Sequence, residues 1–333
     1  MNIATAVEKS RSPALRLVST KDLSRNDWLN VRKGGIGSSD AAAAVGLNPY
    51  QSQLELWMIK TSRDAKLPKV DPNDETSPMY WGSLLEPIVA AHYTKRTGNK
   101  VRRINSVLQH PDSDRRWMLA NLDYVIVNGG DAQILECKTA GEFGARLWKD
   151  GVPEYVQLQV QHQLAVTNKI AADVCVLICG QEIRVHRIER DDALINRLIE
   201  LEQKFWMYVE TDTPPPADGS ESAATALKCL YPSDSGNTLD FVGDTEMSST
   251  FSDLVAIRAD IEAREKLEAE LKQRIQQRMG DASRAKFGTG TVSWKRSKDG
   301  LILDVIALMK DQPALLSTYP LIRAGTRRFL INT

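Results

Sequence analysis

The chain has 333 residues, 42% of them hydrophobic, with 43 Lys plus Arg set against 43 Asp plus Glu. That length buries a core without disulfides or a structural metal and suggests about two domains. Zero net charge excludes an overall basic field, so any nucleic-acid role rests on local patches, and no run approaches the ~18–20 apolar residues of a membrane helix.

Residues 1–20 are polar and read as a flexible segment. Without a compact apolar leader, the expected location is the cytoplasm. From 21 to 212, helical and strand-like patterns alternate, which defines the main domain of an α/β protein. Within it, GGIGSSD (34–40) is a Gly/Ser turn opening into an Ala-rich helix, with Ser39 or Asp40 as the cap. The hydroxyls of Ser38 and Ser39, the exposed N–H groups and nearby Arg32 together make a phosphate pocket; the plainer alternative is a capped helix packed tightly at its glycines. KRTGNKVRR (95–103) follows as a basic cluster without an acid, and residues 284–298 form a second, so each could track phosphates or be ordinary solvated surface.

Residues 118–140, MLANLDYVIVNGGDAQILECKTA, read as a β-hairpin around Asn128-Gly129-Gly130-Asp131. Partners across such a hairpin place Asp123 opposite Glu136, and the two-residue period puts Lys138 on the face of Glu136 and Cys137 on the other. Oxygen ligands from Asp123 and Glu136, with the carbonyl of Cys137, suit Mg²⁺ or Mn²⁺, and Lys138 would then hold water or phosphate. A solvent-exposed, salt-bridged strand face is the alternative.

Pro214-Pro215-Pro216 opens a connector over 213–250 that contains a short helix at 223–231, stopped by Pro232. Residues 251–279 form a charged helical arm with a narrow apolar stripe, Leu254, Ile257, Ile261, Leu267, Leu271 and Ile275. A strand at GTVSWKRS, a helix over 301–309 and a strand at RRFLIN complete a small α/β module, so that 251–333 forms the last part of the chain. The four Cys (137, 175, 179, 229) lack zinc or iron–sulfur spacing and read as buried free thiols. His92, His110, His162 and His186 show no ligand spacing either, although His162 could face a cleft; most of the Trp residues are expected in the core.

Four blocks in order carry a family resemblance: NDWLNVRKGGIGSSDAAAAVGLNPY, WGSLLEPIVAAHY, LDYVIV followed by ILECKTA, and YVQLQVQHQLAVTN. Over about 21–212 the chain resembles the YqaJ-type viral recombinase, or lambda-exonuclease, branch of the PD-(D/E)XK nuclease superfamily. The resemblance implies a mixed central sheet flanked by helices, with Glu86, Asp123 and Glu136 at the metals, Lys138 as the motif lysine and Gln159 as the active-site glutamine. Tyr155 and Gln163 lie one turn to either side of Gln159, and Gln157 and Gln161 are the fallback positions. It also implies that Arg32 and Ser39 recognise a 5′-phosphate. The chain departs from the family in having Asn121-Leu122 before the aspartate and Tyr124 after it.

The implied activity is phosphodiester hydrolysis with two Mg²⁺ ions per site, Mn²⁺ substituting. The substrate is linear double-stranded DNA with 5′-phosphate ends, degraded 5′ to 3′ to leave 3′ overhangs for a single-strand annealing protein in phage-type recombination. A homo-oligomer, favouring a trimeric ring, in a bacterial cell completes the implication. The alternatives are a structure-specific or RecB-type endonuclease of the same fold, a non-catalytic DNA-end-binding assembly subunit, and an iron–sulfur nuclease.

Overall fold

In the computed structural model, residues 13–69, 71–128, 130, 132–322 and 325–332 are described, and the chain divides into two units, Met1–Pro232 and Ser233–Thr333. In the first unit the order is β1 (Leu15–Ser19), α1 (Arg25–Lys33), β2 (Ile36–Gly37), α2 (Ala41–Ala44), α3 (Gln53–Lys60), α4 (Pro78–Thr97), β3 (Val101–Arg103), β4 (Ser106–Gln109), β5 (Met118–Asn121) and β6 (Tyr124–Ile126). It continues with β7 (Ala132–Ala140), α5 (Glu142–Ala145), α6 (Glu154–Thr167), β8 (Ala171–Ile178), β9 (Glu182–Glu189), α7 (Asp192–Glu210) and α8 (Glu221–Leu230).

A five-stranded mixed sheet, ordered β3-β6-β7-β8-β9, is the centre; only β7 and β8 run parallel. Period-two alternation sorts its two faces. Leu135 and Cys175 pack with Val89, Ala90 and Tyr93 of α4, while Ile134, Val174 and Val176 join the larger core with Val156, Val160 and Leu164 of α6. Helices therefore cover both faces of the sheet, as expected for the α/β class with a mixed central sheet. A second sheet, β1-β4-β5-β2, stands beside it.

Local signals explain the helix ends. Ser52 caps α3 by accepting from Glu55 N (3.1 Å), Asp191 caps α7 through Leu194 N (3.0 Å), and Ser77 with Pro78 in the first turn starts α4. Gly35 is obligatory for a steric reason: a Cβ there would lie 2.4 Å from the carbonyl oxygen of Trp117. That close approach lets Ile36 N reach the same oxygen at 2.7 Å, so β2 pairs parallel to β5.

The structure corrects several expectations. Residues 15–19 are not a flexible segment; they form β1, paired antiparallel to β4. The run 118–127 is not one strand, because it breaks at Leu122-Asp123 and its halves join different sheets. The helix expected at 223–231 is α8, and it packs on the first unit: Ala223 and Ala226 are buried and Ser222 Oγ accepts from Ser52 N at 2.8 Å. Not all thiols are buried, since Cys179 is exposed at a left-handed turn residue with φ 49°.

The second unit contains α9 (Thr245–Met279), β10 (Arg284–Phe287), β11 (Gly290–Ser293), α10 (Val305–Asp311) and α11 (Leu315–Thr318). The arm is longer than expected because Asp244 caps it, accepting from Met247 N at 3.0 Å. None of its residues is buried, and its stripe residues Ile257, Ile261, Leu267 and Leu271 are each about half exposed. GTVS forms β11, the later helix begins at Val305 rather than Leu301, and RRFLIN is not a strand.

Candidate active site

β6 and β7 pair with Tyr124 opposite Leu135 and Val125 opposite Ile134, the register expected from the turn, of which residues 129 and 131 lie outside the described residues. One step further along, Asp123 and Glu136 come level. Asp123 is not itself in a strand. It sits in the break between β5 and β6, and its Oδ2 accepts the backbone N–H of Cys137 at 2.9 Å.

Glu136 is 2% exposed and surrounded by donors. Its Oε1 receives Lys138 Nζ (2.8 Å) and Gln159 Nε2 (2.6 Å), and its Oε2 receives Gln163 Nε2 (2.7 Å). Lys138 Nζ also donates to Gln159 Oε1 at 3.0 Å, closing a ring of three side chains. The helical repeat explains why two glutamines reach one carboxylate: positions 159 and 163 are one turn apart on the face of α6 toward the sheet.

The fallback glutamines lie elsewhere. Gln157 Nε2 donates to Val152 O (2.6 Å), while Gln161 is held by Glu189 O (2.8 Å) and Asp191 N (3.1 Å). Tyr155 packs edge-on to Tyr50 with centroids 5.9 Å apart. His162 does not face the cleft. It is fully buried, with Nδ1 2.7 Å from Glu202 Oε1 and Nε2 2.9 Å from Leu119 O. Burial works against its charged form, but Glu202 outweighs it and the pKa is raised.

Glu86 comes from the middle of α4, directly before Pro87, and is paired with Arg103 at 3.0 Å. Arg103, itself exposed, touches the site through this pair, whereas Lys95, Lys100 and Arg102 of the same basic cluster are exposed without an ion pair among the described residues. Burial raises the Glu86 pKa; Arg103 opposes this and Glu136 adds to it. Asp123 is raised well above the usual carboxylate range, first by burial and then by the neighbouring Glu136. Lys138 is affected in the opposite sense: burial disfavours the ammonium, but Glu136 and Asp123 raise its pKa overall, so it stays charged at neutral pH.

The Gly/Ser segment does not cap as expected. Ser38–Asp40 is a single 3₁₀ turn, Asp40 Oδ2 accepts from Gly37 N at 3.1 Å, and α2 has no side-chain cap. Arg32 Nη2 donates to Ser39 Oγ and Asp40 Oδ1, both at 2.6 Å, and its guanidinium lies 4.9 Å from the Trp28 ring centroid. Asp40 Oδ2 also holds Lys60 Nζ at 2.7 Å. Lys60, Asp40 and Trp28 were not expected at the site. Lys60 closes the apolar helix QLELWMIK and reads as an ordinary basic residue at a helix C-terminus.

One cleft of about 380 Å³ is lined by Arg32, Ser38, Ser39, Glu86, Asp123, Glu136, Cys137, Lys138 and Gln159, together with Trp28, Gly82, Asn121 and Thr139. Every residue proposed for the site from sequence lines it. A second hollow of about 530 Å³ shares Arg32 with the first and is lined by Lys33, Asp40, Lys60, Asp64 and Lys69.

The donors suit a hard divalent cation in kind, because they are carboxylate oxygens, and burial together with the neighbouring Glu136 raises both Asp123 and Glu86. Among the described residues, no three acidic, His or Cys side chains close on one point; Glu136 is instead held by Lys138 and the two glutamines.

The profile of the YqaJ-like viral recombinase domain matches residues 27–170, which contain all these side chains. A Bacillus subtilis (strain 168) protein named "Uncharacterized protein YqaJ" is 35% identical over 284 residues, 84% of this chain and 86% of that one. This chain belongs to the YqaJ-like viral recombinase family. Among solved structures, an alkaline exonuclease, LHK-Exo, from Laribacter hongkongensis is 23% identical, with a TM-score of 0.47 over 56% of this chain and 93% of its own. A phage-related exonuclease from Haemophilus somnus 129PT is 12% identical, with a TM-score of 0.38 over 56% and 99%.

Proposed function

We propose that the chain is a Mg²⁺-dependent 5′-to-3′ exonuclease of linear double-stranded DNA that releases 5′-mononucleotides and leaves a 3′ overhang for a single-strand annealing protein. The observation that carries this reading is the meeting, in one cleft, of Asp123, Glu136, Glu86, Lys138 and Gln159 with Arg32, Ser38 and Ser39. Family membership supports it.

Asp123, Glu136, Glu86 and the carbonyl of Cys137 are the groups that would hold Mg²⁺, or Mn²⁺ in its place, two ions per site. Bound there, such ions stabilise charge on the phosphate and make water a stronger nucleophile. The protein's own groups supply orientation. Lys138 stays protonated beside Glu136, so it serves as a donor that positions phosphate or water and not as a base. Gln159 fixes both Lys138 Nζ and Glu136 Oε1, which holds the pair ready before DNA arrives. Arg32, oriented by Asp40, presents positive charge beside the Ser38 and Ser39 hydroxyls, a suitable seat for a terminal phosphate. A homo-oligomer, with a trimeric ring favoured, belongs to the same proposal and would show as a multiple of the chain mass in light scattering.

The test is a time course on linear duplex labelled at one 5′ or 3′ end, with and without Mg²⁺, beside a covalently closed circle. Mg²⁺-dependent release of the 5′ label as mononucleotide, with the circle intact, is expected. Cutting of the circle would replace this reading with an endonuclease, and binding without cleavage with an assembly subunit.

A further inference from the structure

The second unit carries its own charged and aromatic surface. Between Lys272 and Lys298 the sequence has eight Lys or Arg and one acid, Asp281, in a chain whose net charge is zero. The end of α9, Ala282 and β10 line a hollow of about 450 Å³. Ile275, Met279 and Phe287 supply apolar lining, and Arg278, Arg284 and Lys286 supply positive charge. The neighbouring Arg274 is paired with Glu270, but Arg278, Arg284 and Lys286 hold no ion pair among the described residues.

The hairpin register places two aromatic rings on one face. Ala285 pairs with Val292 and Phe287 with Gly290, and Trp294 N donates to Ser283 O at 3.0 Å, one step beyond the ladder. Phe287 and Trp294 therefore share the face of Ala285 and Val292. They are 51% and 47% exposed. About four residues along the hairpin, roughly 13 Å, lie between them.

We propose that this helix–hairpin surface binds single-stranded DNA, with Phe287 and Trp294 stacking on bases and Arg278, Arg284 and Lys286 contacting phosphates. Cations alone would serve a duplex equally well, since duplex bases are already stacked on one another. Two half-exposed rings on one face, with Arg284 and Lys286 at the alternate positions of β10 bordering the same hollow as Phe287, favour a strand whose bases are free. The residues of this surface all belong to the second unit. This binding role rests on the nuclease reading only in taking DNA as the polyanion, and the single strand that such an enzyme leaves behind is the natural occupant.

The test uses the full chain in EDTA with a fluorescein-labelled oligothymidylate of about 16 nucleotides, and follows fluorescence anisotropy over a salt series. Arg284→Gln combined with Lys286→Gln should reduce the slope of log affinity against log salt by about 1.4, two phosphates at about 0.7 each. Phe287→Ala or Trp294→Ala should weaken binding about tenfold, while Phe287→Tyr and Trp294→Tyr retain it. The Tyr variants separate loss of stacking from loss of the hairpin. An unchanged slope in the charge variant, aromatic variants that bind like the parent, or the same losses on a blunt duplex of equal length would each overturn the proposal. Cleavage of linear duplex by the unmodified chain in Mg²⁺ is scored separately, so failure of the nuclease reading and failure of this one give different results.

Discussion

Two clusters of charge in the first unit have opposite balances. Around Asp40, one carboxylate faces two cations, Arg32 and Lys60. Burial works against the Asp40 carboxylate, yet those cations hold its pKa well below the usual range. Around Glu136, three carboxylates face Lys138 inside and Arg103 at the margin, and Asp123 is pushed the other way, by burial and then by Glu136. The first cluster has spare positive charge and suits an anion; the second has spare negative charge and suits a cation. A phosphodiester end with its metals requires both, and the cleft is lined by members of each.

The largest effect should come from the carboxylate-rich cluster. Lys138→Ala should lower cleavage by about 10³-fold or more while DNA binding persists, because Lys138 is assigned to the chemical step; single-turnover digestion beside a binding isotherm reads both. Asp40→Ala removes the anion from between two cations and leaves Lys60 buried with no opposing charge. A loss of about 3–5 kcal/mol in urea unfolding is expected, and a change under about 1 kcal/mol would mean that the cluster is not a clamp.

Arg32→Ala should reduce digestion of 5′-phosphorylated ends about tenfold more than that of 5′-hydroxyl ends, the size of one charged hydrogen bond. Equal losses on the two substrates would remove the phosphate seat. The smallest effect concerns His162, on the face of α6 turned away from the cleft. Its raised pKa contributes stability that is fully present below the ordinary imidazole value of about 6.5 and is lost as pH rises through the folded value. The urea midpoint should therefore decline over that rise in the parent chain, and the decline should be smaller in His162→Gln.

Legibility in the sequence followed the range of the interactions. The pairing of Asp123 with Glu136 was readable because a hairpin register is set locally by its turn and every step is two residues. Gln159 rested on the resemblance alone, because helical spacing pairs 159 with 163 and equally 157 with 161; only the packing of α6 on the sheet turns the first pair toward Glu136. What could not be read depends on partners distant in sequence. Lys60 becomes part of the site only because α3 packs beside the 38–40 turn. The orientation of His162 is decided by Glu202, forty residues on. The break at Asp123 arises where β5 leaves for β4 and β2 while β6 joins β3 and β7, a tertiary choice that the strand-like composition of 118–127 conceals. RRFLIN has strand composition but no neighbour to pair with among the described residues, and composition without a partner does not make a strand.

The central claim is that the surplus of carboxylate at Glu86, Asp123 and Glu136 is there for a cation, and Mn²⁺ titration followed by its paramagnetic resonance signal tests it most directly. The unmodified chain should take up Mn²⁺, with Mg²⁺ competing, and Asp123→Asn and Glu136→Gln should each lose that uptake while remaining folded. Uptake of the same strength in both variants, or none in the unmodified chain with DNA present, would contradict it.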